Sequence, residues 1–140
     1  MNYLNSLLVV LLILGIAGCG KKEWPEPDAS QEKFSISEIS GQIEDSCLII
    51  KSEISGNRQN LGRIILELEI SDDPCPTCPF LITDSIFLKP DSRAVTIKEN
   101  HLTIVHCGLE PDKYYRARLR LDNLYPMIRE VTSRVINISQ

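Results

Sequence analysis

Leu109-Glu110-Pro111-Asp112-Lys113-Tyr114-Tyr115-Arg116-Ala117-Arg118-Leu119 is a turn running into a strand. Pro111 and Asp112 are turn formers. From Tyr115 onward the period is two, with Tyr115, Ala117, Leu119 and Leu121 on one face and Arg116, Arg118 and Arg120 on the other. The same alternation recurs outward in both directions, near Phe34 to Ile39, Cys47 to Ile54, Gly62 to Ile70, Phe80 to Leu88, His101 to Cys107, Tyr114 to Leu121 and Ile128 to Ile138. Between these runs stand Gly41, Gly56-Asn57, Asp72-Asp73-Pro74, Pro90-Asp91, Glu99-Asn100, Gly108 to Pro111 and Asp122-Asn123, all turn chemistry. No stretch sustains helical spacing with caps. Seven short strands at this spacing predict an all-β, antiparallel sandwich or small barrel.

The quoted stretch resembles the corner between the fifth and sixth strands of fibronectin type III domains, where Leu, then Pro two residues on, then Tyr four further precede an alternating strand. The resemblance implies a seven-stranded β-sandwich, fibronectin type III or immunoglobulin-like, over residues 34–140. It makes Leu109, Pro111 and Tyr115 a structural corner, with the Tyr115 hydroxyl bonded back to nearby backbone. The family's second-strand Trp is absent; Leu48, Ile50 and Ile54 stand there instead, which leaves an immunoglobulin-like subtype open. In this fold the third and sixth strands are neighbours. Glu67 and Glu69 are then expected opposite the arginines on a solvated face, each pair contributing roughly a few tenths of a kcal/mol.

The amino-terminal region has a different character. An apolar stretch from Leu7 to Leu14 is followed by Ile16-Ala17-Gly18-Cys19, which reads as a signal peptide over 1–18, cut before Cys19. The uninterrupted apolar run is far shorter than the about 20 residues of a membrane span. Lys or Arg is missing from the first residues, so the reading rests on the small residues, Cys19 and the basic pair Lys21-Lys22. The pattern resembles the lipobox of bacterial lipoproteins, which implies a diacylglycerol thioether on Cys19 and a palmitate-type acyl chain on its amine. The membrane is then a partner through Cys19, and the address is the bacterial cell envelope. Gly20 rather than Asp after the cysteine resembles lipoproteins that Gram-negative bacteria pass to the outer membrane. Residues 19–33, rich in charge and proline, read as a lipidated cysteine with a solvated tether, on which Trp24 is an interfacial aromatic near lipid headgroups or a residue folded back on the domain.

Four further cysteines, Cys47, Cys75, Cys78 and Cys107, fall in the exported domain, an even number for an oxidising compartment. In the fold that the resemblance implies, the second and fifth strands are neighbours, with Cys47 and Cys107 outward at one pole. This favours disulfides Cys47 to Cys107 and Cys75 to Cys78; crossed pairing is the next reading. A four-thiolate metal site from the same residues is a weaker alternative. Thioredoxin-like chemistry at Cys75 and Cys78 needs a helix start, which the flanking prolines do not offer, and Pro79 stands where covalent haem attachment requires His. His106 points inward by alternation, as a core histidine.

Nothing in the chain assembles a catalytic constellation, and no cofactor is expected. His101 and His106 are the only histidines, no serine has a nucleophile-elbow context, and Asp72-Asp73 offers too few oxygens for calcium. Asn137-Ile138-Ser139 matches a glycosylation acceptor by pattern alone. The formal net charge of −4, carried entirely beyond Cys19, lacks the basic stripe that nucleic acid requires. Two function classes follow: a noncatalytic module that binds an envelope protein or glycan, and a redox-active or metal-binding lipoprotein using the cysteine pole.

Overall fold

The computed structural model describes residues 32–138; the leader, Cys19, Trp24 and most of the tether lie outside them. Strands are β1 (Phe34–Glu44), β2 (Cys47–Gly56), β3 (Leu61–Ser71), β4 (Asp84–Leu88), β5 (Val95–Lys98), β6 (His101–Cys107), β7 (Tyr114–Asn123), β8 (Val131–Thr132) and β9 (Ile136–Asn137). All pairings are antiparallel. One sheet has the order β1-β2-β6-β5; the other runs β4-β3-β7-β8, with β9 also on β7. The two form a sandwich, and the topology is consistent with an immunoglobulin-like or fibronectin type III-like arrangement.

The core follows from the period of two. Leu48, Ile50 and Ile54 of β2 and Leu102 and Ile104 of β6 meet Ile64, Leu66 and Leu68 of β3 and Ala117, Leu119 and Leu121 of β7, all essentially inaccessible. Each such aliphatic side chain contributes about 1.5–3 kcal/mol on burial. The expected all-β antiparallel sandwich is therefore the observed fold.

Its strand count and several boundaries differ from the sequence expectation. β5 is an additional strand. Its four residues give only two alternations, too few to register as periodicity, and it forms by closing a two-residue turn, Glu99-Asn100, onto β6. The expected strand from Phe80 begins only at Asp84, because before it side chains replace the backbone ladder: the Thr83 hydroxyl accepts the Ile70 amide and the Glu69 carboxylate accepts the Leu81 amide. The last strand is split into β8 and β9 around Ser133, whose hydroxyl and amide bond the backbone of Leu119.

Gly41 is not a break. β1 continues through it to Glu44, and a Cβ at Gly41 would stand 2.5 Å from the Ile138 side chain and 2.8 Å from that of Ile50. A bulge between Ser37 and Ser40, with Glu38 at φ 49°, resets the β1 alternation so that Ile39 faces the core. Asp45 and Ser46 both have positive φ, 48° and 63°, and make the tight turn that starts β2 at Cys47.

Glu32 and Lys33, which fall in the expected tether, are bonded to the domain. The Glu32 carbonyl accepts from Asn123 Nδ2 at 2.9 Å and Asn60 Nδ2 at 3.2 Å, and the Lys33 carbonyl accepts from the Asn57 amide at 2.9 Å. The chain thus enters the sandwich at the pole where β3 begins and β7 ends.

Candidate functional site

The opposite pole carries the cysteines. Cys47 opens β2 and stands directly opposite Cys107, the last residue of β6, with Cα atoms 3.9 Å apart and the sulfurs at disulfide distance. Leu48 and Ile50 face inward, so alternation turns Cys47 outward; the same holds for Cys107 beyond Leu102 and Ile104. The Ser46 carbonyl accepts the amides of Gly108 and Leu109, both at 3.2 Å, which ties the β1–β2 turn to the β6–β7 loop. Gly108 sits at φ 88°, a backbone that disfavours a side chain.

That loop leads into the corner. Tyr115 is buried, and its hydroxyl accepts from the Glu110 amide at 2.8 Å and donates to the Glu110 carbonyl at 3.3 Å. Leu109 packs against the core beside it. Ile43, Ser46, Leu109, Pro111 and Tyr115 line a shallow depression here. This is the geometry expected for a tyrosine that pins the start of its strand to the loop before it.

Cys75 and Cys78 lie on the long β3–β4 loop, with Cα atoms 5.4 Å apart, sulfurs at disulfide distance, and the Cys78 amide bonded to the Cys75 carbonyl at 3.3 Å. Two contacts fix the loop to the other sheet neighbours. Lys113 donates to Asp72 at 2.6 Å, and this hydrogen bond, with the charge of Asp72, raises the lysine pKa above its ordinary value. Arg116 donates to the Cys78 carbonyl at 3.0 Å.

The four sulfurs do not converge. Cys47 and Cys107 are on the β2–β6 face, whereas Cys75 and Cys78 hang from β3 beside β7, on the other sheet. Among the described residues no three His, Cys, Asp or Glu side chains are grouped to hold a metal. The loop around Cys75 has no helix that could stabilise a thiolate. His106 shares the inward face of β6 but is half-buried at its rim, because β6 ends one residue later. Asp72 is engaged with Lys113, while the Asp73 carbonyl accepts from the Ser71 hydroxyl at 2.9 Å.

The arginine stripe pairs as the register requires. Glu67 stands opposite Arg118, Glu69 opposite Arg116, and Ile65 opposite Arg120. Arg118 Nε donates to Glu67 at 2.7 Å, Arg120 lies 3.5 Å from both Glu67 and Glu130, and Arg116 donates to Glu69 at 3.1 Å. This face is less solvated than expected. Glu67 is 2% exposed and Ile65 is fully buried, because the arginine stems lie across them and Phe80 packs over Arg116 and Arg118, ring centroid 5.7 and 5.1 Å from the guanidinium carbons. The charge on this face is internally neutralised rather than held open for an anion.

Sequence reasoning missed the loop after β7. Leu124, Tyr125 and Met127 are 60%, 50% and 96% exposed. The signal was present: an apolar run that Pro126 keeps from being a strand.

Comparison with known proteins finds no family model and no curated relative that matches this chain.

Proposed function

We propose that the chain is a lipid-anchored lipoprotein of the bacterial cell envelope, in the outer membrane where there is one. Its fibronectin type III-like, immunoglobulin-like domain is a noncatalytic module that binds an envelope protein or glycan. The observation that carries this reading is polar separation. The chain root at Glu32 and Lys33 is held at one end of the sandwich, and the cysteine-tied loops project from the other, about 33 Å away along the eleven residues of β3. The lipobox-like run Ile16-Ala17-Gly18-Cys19 supports the first half of the reading, and the Leu109, Pro111 and Tyr115 corner supports the domain type.

Photo-crosslinking in the native envelope tests it. A crosslinker at Thr77, on the far-pole loop, is expected to give one discrete adduct, and the same group at Lys51, on the outer sheet face, none. Equal, diffuse labelling from both positions is the result that sinks the binding module. A Cys19→Ser chain is expected to leave the membrane fraction.

A second reading uses the same pole for redox or metal chemistry. It is favoured by the exposure of Cys78 on an accessible loop. It requires thiol exchange or zinc uptake that Cys75→Ser with Cys78→Ser abolishes.

A further inference from the structure

The loop that follows β7 lies at the chain root, and its position gives it a use. Asn123 holds the Glu32 carbonyl through its side chain, and the next residue, Leu124, donates its amide to the Asn60 carbonyl at 2.7 Å. Asn60 also holds Glu32, through both its carbonyl and its carboxylate. The entry point of the chain and the start of the loop are therefore fastened to the same two asparagines. The loop itself is ordered: the Tyr125 amide bonds Asn123 Oδ1 at 2.9 Å, and the Ile128 amide bonds the Tyr125 carbonyl at 2.9 Å. This turn holds Leu124, Tyr125 and Met127 outward, three large apolar side chains within four residues. Surface apolar residues scattered singly are ordinary; three on one turn mark a contact surface.

We infer that this loop docks on the lipid bilayer, seating Leu124, Tyr125 and Met127 among the headgroups and upper acyl chains. The inference rests on the reading of Cys19 as the lipid anchor. Twelve residues separate Cys19 from Glu32, a reach of at most about 45 Å. A tether of that length holds the root pole at high effective concentration against the membrane, so modest apolar contact suffices for docking. Tyrosine suits the interface, with an apolar ring and a hydroxyl that stays wet, and the tether's Trp24 has the same character. The far pole, with Cys47, Cys75, Cys78 and Cys107, then faces away from the lipid.

The test is depth-dependent quenching in the full lipidated chain. Trp24→Phe removes the native tryptophan, and Met127→Trp places a reporter at a residue whose exposure makes the change structurally mild. The protein is reconstituted into phosphatidylethanolamine and phosphatidylglycerol vesicles with or without brominated acyl chains. Fluorescence is expected to fall at least about twofold in brominated vesicles, while Thr77→Trp in the same background is unaffected. Equal, weak quenching at both positions, with the protein still floating with vesicles and Cys19→Ser not floating, overturns the docking and leaves the anchor standing. Failure of the wild type to float overturns both. Concentration-dependent dimerisation of the Cys19→Ser form that Met127→Ser abolishes would assign the loop to self-association and reject the lipid contact. As a second readout, deuterium uptake at residues 123–130 is expected to slow about fivefold on vesicles relative to soluble Cys19→Ser protein.

Discussion

Tyr115 couples the one specific motif of the sequence to the fold, because its ring is buried while its hydroxyl satisfies both polar groups of Glu110. Tyr115→Phe keeps the ring and removes both bonds; the expected loss is about 1–2 kcal/mol in urea unfolding. Glu67 is the other residue whose environment sets a measurable cost. It is 2% exposed, whereas Arg118 and Arg120 are 29% and 33% exposed. Arg118→Met leaves a buried carboxylate with only Arg120, at 3.5 Å, and is expected to cost about 2–3 kcal/mol. Glu67→Gln leaves arginines that reach water and is expected to cost about 1 kcal/mol. Equal losses in parallel urea titrations would show that burial of Glu67 does not set the balance. The opposition of Glu67 and Arg118 was legible from alternation and topology. The burial was not, since it depends on Phe80, expected at the head of a strand, lying instead in a loop and packing across the arginines of the sheet.

At the scale of elements, the two cysteine pairs differ in what they constrain. Cys47 and Cys107 are 60 residues apart and close a loop that contains β2 through β6, whereas Cys75 and Cys78 are 3 apart and close a single turn. On the chain-entropy account, a bond at the first pair restricts the unfolded chain by about 4 kcal/mol and at the second by about 2 kcal/mol. Cys47→Ser with Cys107→Ser is therefore expected to lower the urea midpoint about twice as far as Cys75→Ser with Cys78→Ser, and reductant should remove the difference. The opposition of Cys47 and Cys107 could be anticipated because the family resemblance implied that their strands are neighbours, and alternation turned both residues outward. β5 could not be, because four residues carry too little pattern, and Gly41 was misleading. A glycine between strand residues reads as a turn until the side chains of Ile50 and Ile138 are seen to fill the space over it.

For the molecule as a whole, stability is concentrated in the central pairs β2–β6 and β3–β7, which hold the fully buried aliphatic residues, while β4, β5, β8 and β9 are short and lie at sheet margins. Native-state hydrogen exchange should show the slowest amides at Ile50 and Ile104, which face each other across β2 and β6, and exchange at β4 and β8 by local opening well below the global unfolding free energy. Uniform protection across all strands would contradict this division. By itself the sequence determined the all-β class, the inward and outward faces of the long strands, the corner tyrosine and the break in composition near residue 33. The class, the faces and the break depend on local period and turn chemistry, which neighbouring residues specify directly, and the corner tyrosine was implied by a family resemblance carried by one short stretch. Only the tertiary structure decided which side chains share a face or an end. It placed the cysteine pairs on different sheets, buried Glu67, and joined the chain root to the apolar loop after β7 through Asn60 and Asn123. Those juxtapositions join residues tens of positions apart, and no local pattern records which distant loops a closed sandwich brings to the same end.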